Sequence, residues 1–568
     1  MLVTGAKLIT LLLERQGVEV VAGIPGGSVL PLYDALTSST IRHILVRHEQ
    51  AAGFLAQGFS RSRGIPGVCI ATSGPGAMNL LSAVADAHAD SIPLVAITGQ
   101  VNSYLIGTDA FQEVDTFGLS FPIAKHSMMV KTPEELLVAI PRAFSLALSG
   151  RPGPVLIDIP RDVQTAQIEV NELPEPGRKV FGPENFNMPE AVLDKSVDEA
   201  VELLCSAKRP VLFAGGGAAN DEASSLILKL VENYSIPVVT SLMGIGVIPF
   251  DNKFNFGMVG MHGTPVANRA MHDSDLILAC GVRFDDRATG IIREFCPNAR
   301  IIHIDIDAAE VNKIYRTQVS LIGDSGDVLA RILERLSSSE KKAAQTPERT
   351  KWFLFLEEQK MAYIRGLRRE PGNPNDFIAS LPDSAEKGGC SRENLLVTTD
   401  VGQHQMWAAQ SYPVFRPRQF MTSGSLGTMG FGLPVAIGAA IANPGKRVIC
   451  ISGDGSIMMN IQELATLREN DLNVTVILLD NGALGMVRQQ QEFLYNKNYS
   501  ASIYESAPDV LRVAEGFGIE SIEAGSKDWE KKAFGKKGPC FVRFYVDQKE
   551  NVFPFVPAGK PNIDPILG

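Results

Sequence analysis

At 568 residues, 45% hydrophobic and 20% charged, the chain can bury several cores and is expected to divide into roughly three or four domains. Its formal net charge is −10 with Lys and Arg scattered, which excludes electrostatic capture of a nucleic-acid backbone. Its 7 cysteines, odd in number, widely spaced and never in a CxxC pair, argue against a disulfide framework or metal cluster, and no run of about 18 apolar residues reads as a membrane span.

Amphipathic helical periodicity begins at Thr4 to Glu14, which leaves no room for a cleavable targeting peptide, so a cytoplasmic protein is expected. Short β-rich runs follow at 41–46, 68–72, 93–98 and 154–159, alternating with helix-length amphipathic segments. That alternation predicts a parallel sheet covered by helices on both faces. Residues 165–190 are polar and rich in Pro, Glu and Asn, and read as a linker. A second α/β unit has strand and loop candidates at 210–217, 236–242, 276–282 and 300–307, and ends near 340. A second boundary lies between the charged stretch Ser337 to Arg349 and the two prolines of Glu370 to Asn375. The third unit carries strands near 395–400, 447–455, 474–481 and 539–546. Three doubly wound α/β domains are therefore expected, at 1–165, 190–340 and 370–550, with a tail at 551–568. Ligand-binding loops should sit at the carboxyl ends of the strands, and the first and third units look alike in outline.

The most informative string is Ile451-Ser452-Gly453-Asp454-Gly455-Ser456, which closes a buried strand, with Asp480-Asn481 closing another 27 residues after Asp454. Glycines let the backbone approach a phosphate, Asp454 offers a hard anionic oxygen and Asn481 a neutral amide oxygen, a set suited to Mg²⁺ holding a diphosphate. Gly-Asp-Gly alone is ordinary turn chemistry. Paired with a helix at Asn460 to Asn470 and a second strand ending in Asn, it resembles the thiamine-diphosphate motif.

Further motifs narrow the resemblance. Arg47-His48-Glu49-Gln50, Ile24-Pro25-Gly26-Gly27, Ser73-Gly74-Pro75-Gly76 and Gly107-Thr108-Asp109-Ala110-Phe111-Gln112-Glu113 are similar to loops of the pyrimidine-binding domain of acetohydroxyacid (acetolactate) synthases. The resemblance runs from Gly5 to about Pro557. It implies that the first unit binds the thiamine pyrimidine and the third its diphosphate and Mg²⁺. Glu49 would then be the carboxylic acid hydrogen-bonded to N1′ of the aminopyrimidine, which makes the adjacent amine basic enough to deprotonate C2. Gly402, Gln403 and His404 would contact the phosphates together with Gly455 and Ser456, and the carbonyl of Ala483 would complete the metal ligands Asp454 and Asn481. Gly427 would receive the 4′-amino group, Met429 would wedge between the two rings, and Met486 and Val487 would adjoin the cofactor. Because Glu49 and Asp454 lie in different units, which in the family come from different subunits, a homodimer or homotetramer is implied.

Arg283-Phe284-Asp285-Asp286-Arg287 resembles the segment that holds a non-redox FAD in biosynthetic members, and Arg151, Gly215, Gly216, Gly217, Met261, Asp305 and Asp324 match as supporting residues. Gly215 to Gly217 do not complete G-x-G-x-x-G, since Asn220 stands where the last glycine would be, which disfavours NAD. Arg287 would face a substrate carboxylate as a guanidinium fork.

The implied reaction joins two 2-oxo acids with loss of carbon dioxide: pyruvate with pyruvate to 2-acetolactate, or with 2-oxobutyrate to 2-aceto-2-hydroxybutyrate, on the route to branched-chain amino acids. Gly26, Gly27, Phe111 and Gln112 would line the reaction site. Gln490 stands where most members carry a tryptophan against the acceptor's extra methyl group, which predicts weak preference for 2-oxobutyrate. Other departures are Asp480, where two asparagines are usual, Arg161 for a common lysine, and a segment at 519–538 that reads short and suggests a truncated last helix. Glu49 argues against glyoxylate carboligase, which lacks it. A catabolic acetolactate synthase or a pyruvate oxidase is the nearest alternative, and a catalytically silent scaffold is disfavoured by intact Glu49, Asp454 and Asn481. No small regulatory domain is evident, so feedback control would require a separate regulatory subunit.

Overall fold

The computed structural model describes residues 1–176, 188–338, 346–367, 370 and 372–568. The linker expected over 165–190 falls partly on 177–187, and the second boundary partly on 339–345 and 371, outside the described residues. The chain forms three six-stranded sheets, all parallel, so the expected doubly wound α/β class is the one observed. The first runs in space Arg42–Leu45, Val20–Gly23, Gly67–Ala71, Leu94–Gln100, Pro154–Pro160, His126–Met129. The third runs Phe420–Met421, Leu395–Thr399, Arg447–Gly453, Val474–Asp480, Cys540–Tyr545, Glu520–Glu523. Counting each sheet's own strands, both follow the order 2-1-3-4-6-5, which gives the outline similarity of these units a common topology.

The middle sheet runs Asn255–Met258, Val238–Thr240, Pro210–Ala214, Leu276–Cys280, Arg300–Asp305, Val319–Ile322, the order 3-2-1-4-5-6 of dinucleotide-binding folds. In all three sheets the direction of winding reverses between two central strands, where loops diverge and leave a crevice for a ligand. Those crevices lie after Val20–Gly23 and Gly67–Ala71, after Pro210–Ala214 and Leu276–Cys280, and after Leu395–Thr399 and Arg447–Gly453. The central strands are buried along their whole length, as continuous apolar runs covered on both faces must be.

The helix Pro347–Gly366 lies between the second and third units and packs on the second. It inserts Trp352 and Leu356 into the core that contains Phe213, Val239 and Phe256, and Arg349 Nε donates to the Ala207 carbonyl at 2.9 Å. The segment expected to be short contains the helix Trp529–Phe534, six residues long, whose Trp529 and Phe534 are buried.

The first and third units share one core. At its centre the helix Glu49–Arg63, buried from Ala51 to Arg61, crosses the wholly apolar helix Gly432–Ala442. A Cβ on Gly58 would clash with the Val435 carbonyl, and one on Gly438 with the Leu55 carbonyl, so the two backbones touch where these glycines meet them. Gly438→Val is expected to destabilise the protein by about 3 kcal/mol, the upper end for overpacking, because backbone atoms cannot swing aside. A lowered urea midpoint for the loss of this shared core checks it, and an unchanged midpoint contradicts it.

Candidate active site

The diphosphate region forms at the winding reversal of the third sheet. Gly402, at φ 152°, precedes the helix Gln403–Ser411, whose first N–H groups are therefore directed into the crevice. Asp454 opens the next loop. Its Oδ2 accepts from Gly482 N at 2.7 Å and its Oδ1 from Gly455 N at 2.9 Å, which fixes the carboxylate between the two strand ends. Burial, followed by the neighbouring Asp480, pushes the Asp454 carboxyl up to about 7. Such a carboxylate, short of compensating positive charge, fits a divalent cation. Asp480 has its own partner, with Arg543 3.8 Å away. Asn481 donates through Nδ2 to Gln403 Oε1 at 3.0 Å, which leaves its Oδ1 as the ligand atom.

His404 supplies a second test of fit. Its ring is held by two glycines, since a Cβ on Gly453 would stand 2.6 Å from Nδ1 and one on Gly402 2.8 Å from Cε1. Burial pushes the imidazole down to about 3, against a hydrogen bond to the Asp400 backbone, and Nε2 is buried with no hydrogen-bond partner. A phosphate oxygen at Nε2 would satisfy that atom and favour its protonated form. The Gln403 side chain is already committed: besides accepting from Asn481, it donates to Gln489 Oε1 and the Glu550 carbonyl, both at 3.0 Å. Gly455 has no room for a side chain, as a Cβ there would stand 2.6 Å from Leu484 Cδ2 and from the Tyr504 hydroxyl, and 3.8 Å from Met429 Cε. Met429 thus borders the same loop, while Gly427, at φ 68°, faces open space save for Val401. Ser456 Oγ donates to the Val401 carbonyl at 2.6 Å. Met486 is half-buried and Val487 exposed on the helix Gly485–Leu494, which follows Ala483 and also carries half-buried Gln490.

The second group of residues lies at the matching crevice of the first sheet. Glu49 starts its helix after His48, whose side chain accepts from Gln50 N, and the helix ends at Gly64 in the left-handed conformation at φ 74°. Glu49 is half-buried. Its Oε2 accepts from Asn79 Nδ2 at 3.0 Å, and its Oε1 lies 3.3 Å from where a Cβ on Gly76 would stand. Gly26 faces Thr72, with Cβ space closed at 2.5 Å, and Gly27 is open. Gln112, at φ 60°, packs on Gly74, while Phe111 beside it is 87% exposed. Among the described residues, no hydrogen bond or ion pair joins Glu49 to Asp454, Asn481 or His404.

Several residues that sequence reasoning did not single out hold these loops. Asp400, fully buried and pushed up to about 6 by burial, accepts from Val401 N at 2.9 Å and Gly430 N at 2.8 Å, so one carboxylate ties the phosphate loop to the Gly427–Gly430 loop. From the first unit, Asp86 Oδ1 accepts from Ser423 Oγ at 2.5 Å and Thr428 Oγ1 at 2.9 Å. Asp90 accepts from the backbone N–H of Gly424 and Ser425 at 3.0 and 2.8 Å, and Arg61 pairs with Asp90 at 2.8 Å. The signal for Asp400 is an acid closing a buried strand; for Asp86 and Asp90 it is two acids four apart, one in the last turns of the helix Pro75–Ala89 and one capping it.

A cavity of about 1220 Å³ opens at the winding reversal of the middle sheet, bounded by all three units. Arg151, Gly216, Gly217, Arg283, Asp285, Asp305 and Asp324 line it. Gly215 sits just behind, where a Cβ would clash with the Gly281 carbonyl, so two glycine loops touch backbone to backbone. Met261 and Arg287 are outside the lining and adjacent to each other, with Arg287 Nη1 4.0 Å from Met261 Sδ. Arg151 is paired with Glu310 at 2.9 Å, and Arg283 donates to the Ala89 carbonyl at 2.6 Å. The size and the dinucleotide-type strand order fit an extended ligand such as FAD.

Three family models match: thiamine pyrophosphate enzyme, N-terminal TPP binding domain over 3–119, central domain over 197–332, and C-terminal TPP binding domain over 400–544. The chain is 46% identical to the acetolactate synthase isozyme 1 large subunit of Escherichia coli, across 99% of this chain and 97% of that one. It is 43% identical to a probable acetolactate synthase large subunit of Methanocaldococcus jannaschii, across 98% and 94%. It is 42% identical to the isozyme 2 large subunit of Escherichia coli, across 98% of both chains.

Proposed function

The chain belongs to the acetolactate synthase family of thiamine pyrophosphate enzymes, and from that membership we propose how its own residues carry out the decarboxylating union of pyruvate with a second 2-oxo acid. The products are 2-acetolactate from pyruvate and 2-aceto-2-hydroxybutyrate from 2-oxobutyrate, in branched-chain amino acid synthesis. The observation that carries the residue assignment is the pairing of a buried, cation-deficient Asp454 with the unpartnered Nε2 of His404 at one crevice. Asp454, Asn481 and the Ala483 carbonyl hold Mg²⁺. His404, the N–H groups after Gly402, and Gly455 with Ser456 hold the diphosphate, while Gln403 orients Asn481. Bound thiamine diphosphate supplies a carbon acid that adds to a ketone and takes up the electron pair released with carbon dioxide.

Glu49 shares a proton with N1′ of the aminopyrimidine, and the Gly427 carbonyl receives the 4′-amino group beside Met429. Arg287 binds a substrate carboxylate, and Phe111, Gln112 and Gln490 bound the acceptor. Glu49 and Asp454 serve one site from two subunits. This reading is supported by the lack, among the described residues, of any hydrogen bond or ion pair between them, and by Phe111, Phe121 and Tyr104, first-unit aromatics 87%, 73% and 72% exposed. The relatives are named large subunits, which supports a separate small regulatory partner. The middle cavity holds FAD through the glycine loops, Arg283, Asp285, Asp305 and Asp324. Acetolactate formation measured with and without FAD tests that assignment. Dependence on added flavin, without its reduction, supports the biosynthetic enzyme, and full activity of a flavin-free preparation contradicts it.

Gln490 gives a prediction of its own. Gln490→Trp is expected to raise the ratio of 2-aceto-2-hydroxybutyrate to acetolactate on the order of tenfold, as one well-packed methylene contributes about 1 to 2 kcal/mol. Competition between pyruvate and 2-oxobutyrate reads it directly; a wild-type enzyme that already forms mainly the ethyl product contradicts it.

A further inference from the structure

Glu463 is a carboxylate with no solvent exposure, carried by the third unit yet spent on the first. It opens the helix Glu463–Glu469, and its Oε1 accepts from the backbone N–H of Arg47 at 2.8 Å. Its Oε2 accepts from Thr466 Oγ1 at 2.7 Å, so both oxygens are fixed. Arg47 and His48 immediately precede Glu49, the first residue of its helix. The Arg47 N–H thus finds its acceptor in a carboxylate from the other side of the shared core. It also sets negative charge at the positive end of the Glu49–Arg63 helix.

The same segment grips the turn elsewhere. Glu469 pairs with the Arg47 guanidinium at 2.8 Å, and Thr466 Oγ1 lies 3.3 Å from the Leu45 carbonyl. Beyond Glu49, Asn460 Nδ2 donates to Gln50 Oε1 at 3.2 Å and to the Gly430 carbonyl at 2.7 Å. Glu49 itself is bypassed: its neighbours on both sides are held, and its carboxylate is left to Asn79 and the open crevice.

We infer that Glu463 is a positioning residue for Glu49, a buried acceptor that fixes the main chain at Arg47, two residues before Glu49, and so sets where the Glu49 carboxyl stands. The inference rests on the reading that Glu49 shares a proton with the cofactor. A displacement of about 1 Å in a reacting group can cost on the order of 100-fold. Loss of the acceptor therefore acts on the chemical step rather than on cofactor binding, because among the described residues no hydrogen bond joins Glu463 to Asp454, Asn481 or His404.

The test compares wild type with Glu463→Ala, Glu463→Gln and Glu49→Gln. In cofactor-free protein, amide hydrogen exchange at Arg47 should quicken in Glu463→Ala and remain near wild type in Glu463→Gln, whose amide oxygen can still accept. In protein loaded with Mg²⁺ and thiamine diphosphate, the exchange of the C2 proton for deuterium should slow at least about tenfold in Glu463→Ala. Its kcat should fall in step, with KM for pyruvate and the affinity for thiamine diphosphate near wild type. Where Glu463→Ala fails to fold, Glu463→Asp, which keeps the charge but withdraws it by one methylene, should show the same slowing. Wild-type C2 exchange in a folded Ala or Asp variant, with slow exchange in Glu49→Gln, overturns the positioning role alone. Wild-type exchange in Glu49→Gln as well overturns the reading of Glu49 beneath it.

Discussion

Glu49→Gln is expected to lower kcat for acetolactate formation on the order of 10²- to 10⁴-fold while leaving the fold intact, the span covered by a positioned proton-transfer group. The geometry separates the two effects. Glu49 is half-buried with one side-chain bond, from Asn79, and a glutamine oxygen can accept that bond at the same place. The amide cannot share a proton with a pyrimidine nitrogen, so the shape survives and the chemistry does not. Circular dichroism should match wild type, and pyruvate turnover within twofold of wild type would sink the assignment.

Asp454→Asn should act at the other end of the cofactor. Wild type should gain about 2.7 kcal/mol of stability when Mg²⁺ and thiamine diphosphate are present at a hundred times their dissociation constant, since both bind only the folded state. The variant should gain almost nothing over the same range, because the hard anionic ligand between the strand ends is gone. Without ligands the two proteins should differ little in stability, as the substitution removes a buried charge whose ionisation burial and Asp480 both oppose but loses one of the two bonds accepted from Gly455 N and Gly482 N. Denaturation with and without the ligands reads both. An equal ligand-induced shift in the two proteins contradicts the metal site.

Much of this was legible in the sequence because apolar strands ending in glycine, aspartate or asparagine advertise both the sheet and its ligand loops. The strand Arg447–Gly453 is buried along its length around the apolar run Val448 to Ile451, and Asp454 follows it directly. Edge strands were harder to read: Glu520–Glu523 buries only Ile522, and Asn255–Met258 alternates half-buried with buried residues, each over only four positions. The helix Pro347–Gly366, between the second and third units, carries little apolar signature because its buried face holds only Arg349, Trp352 and Leu356. At the site, loop residues could be read, whereas the carboxylates that brace them leave only weak marks in the sequence. Asp86, Asp90, Asp400 and Glu463 owe their roles to burial among partners from other parts of the chain, and burial of a charge is decided by tertiary packing. Glu463 looked like any acid at a helix start.

The most direct test is acetolactate produced from pyruvate by the purified chain, with Mg²⁺, thiamine diphosphate and FAD present and each omitted in turn. Acetolactate should form together with carbon dioxide, and it should vanish when thiamine diphosphate or Mg²⁺ is left out. Pyruvate consumed without acetolactate, or acetolactate formed undiminished by a preparation stripped of thiamine diphosphate, would contradict the account.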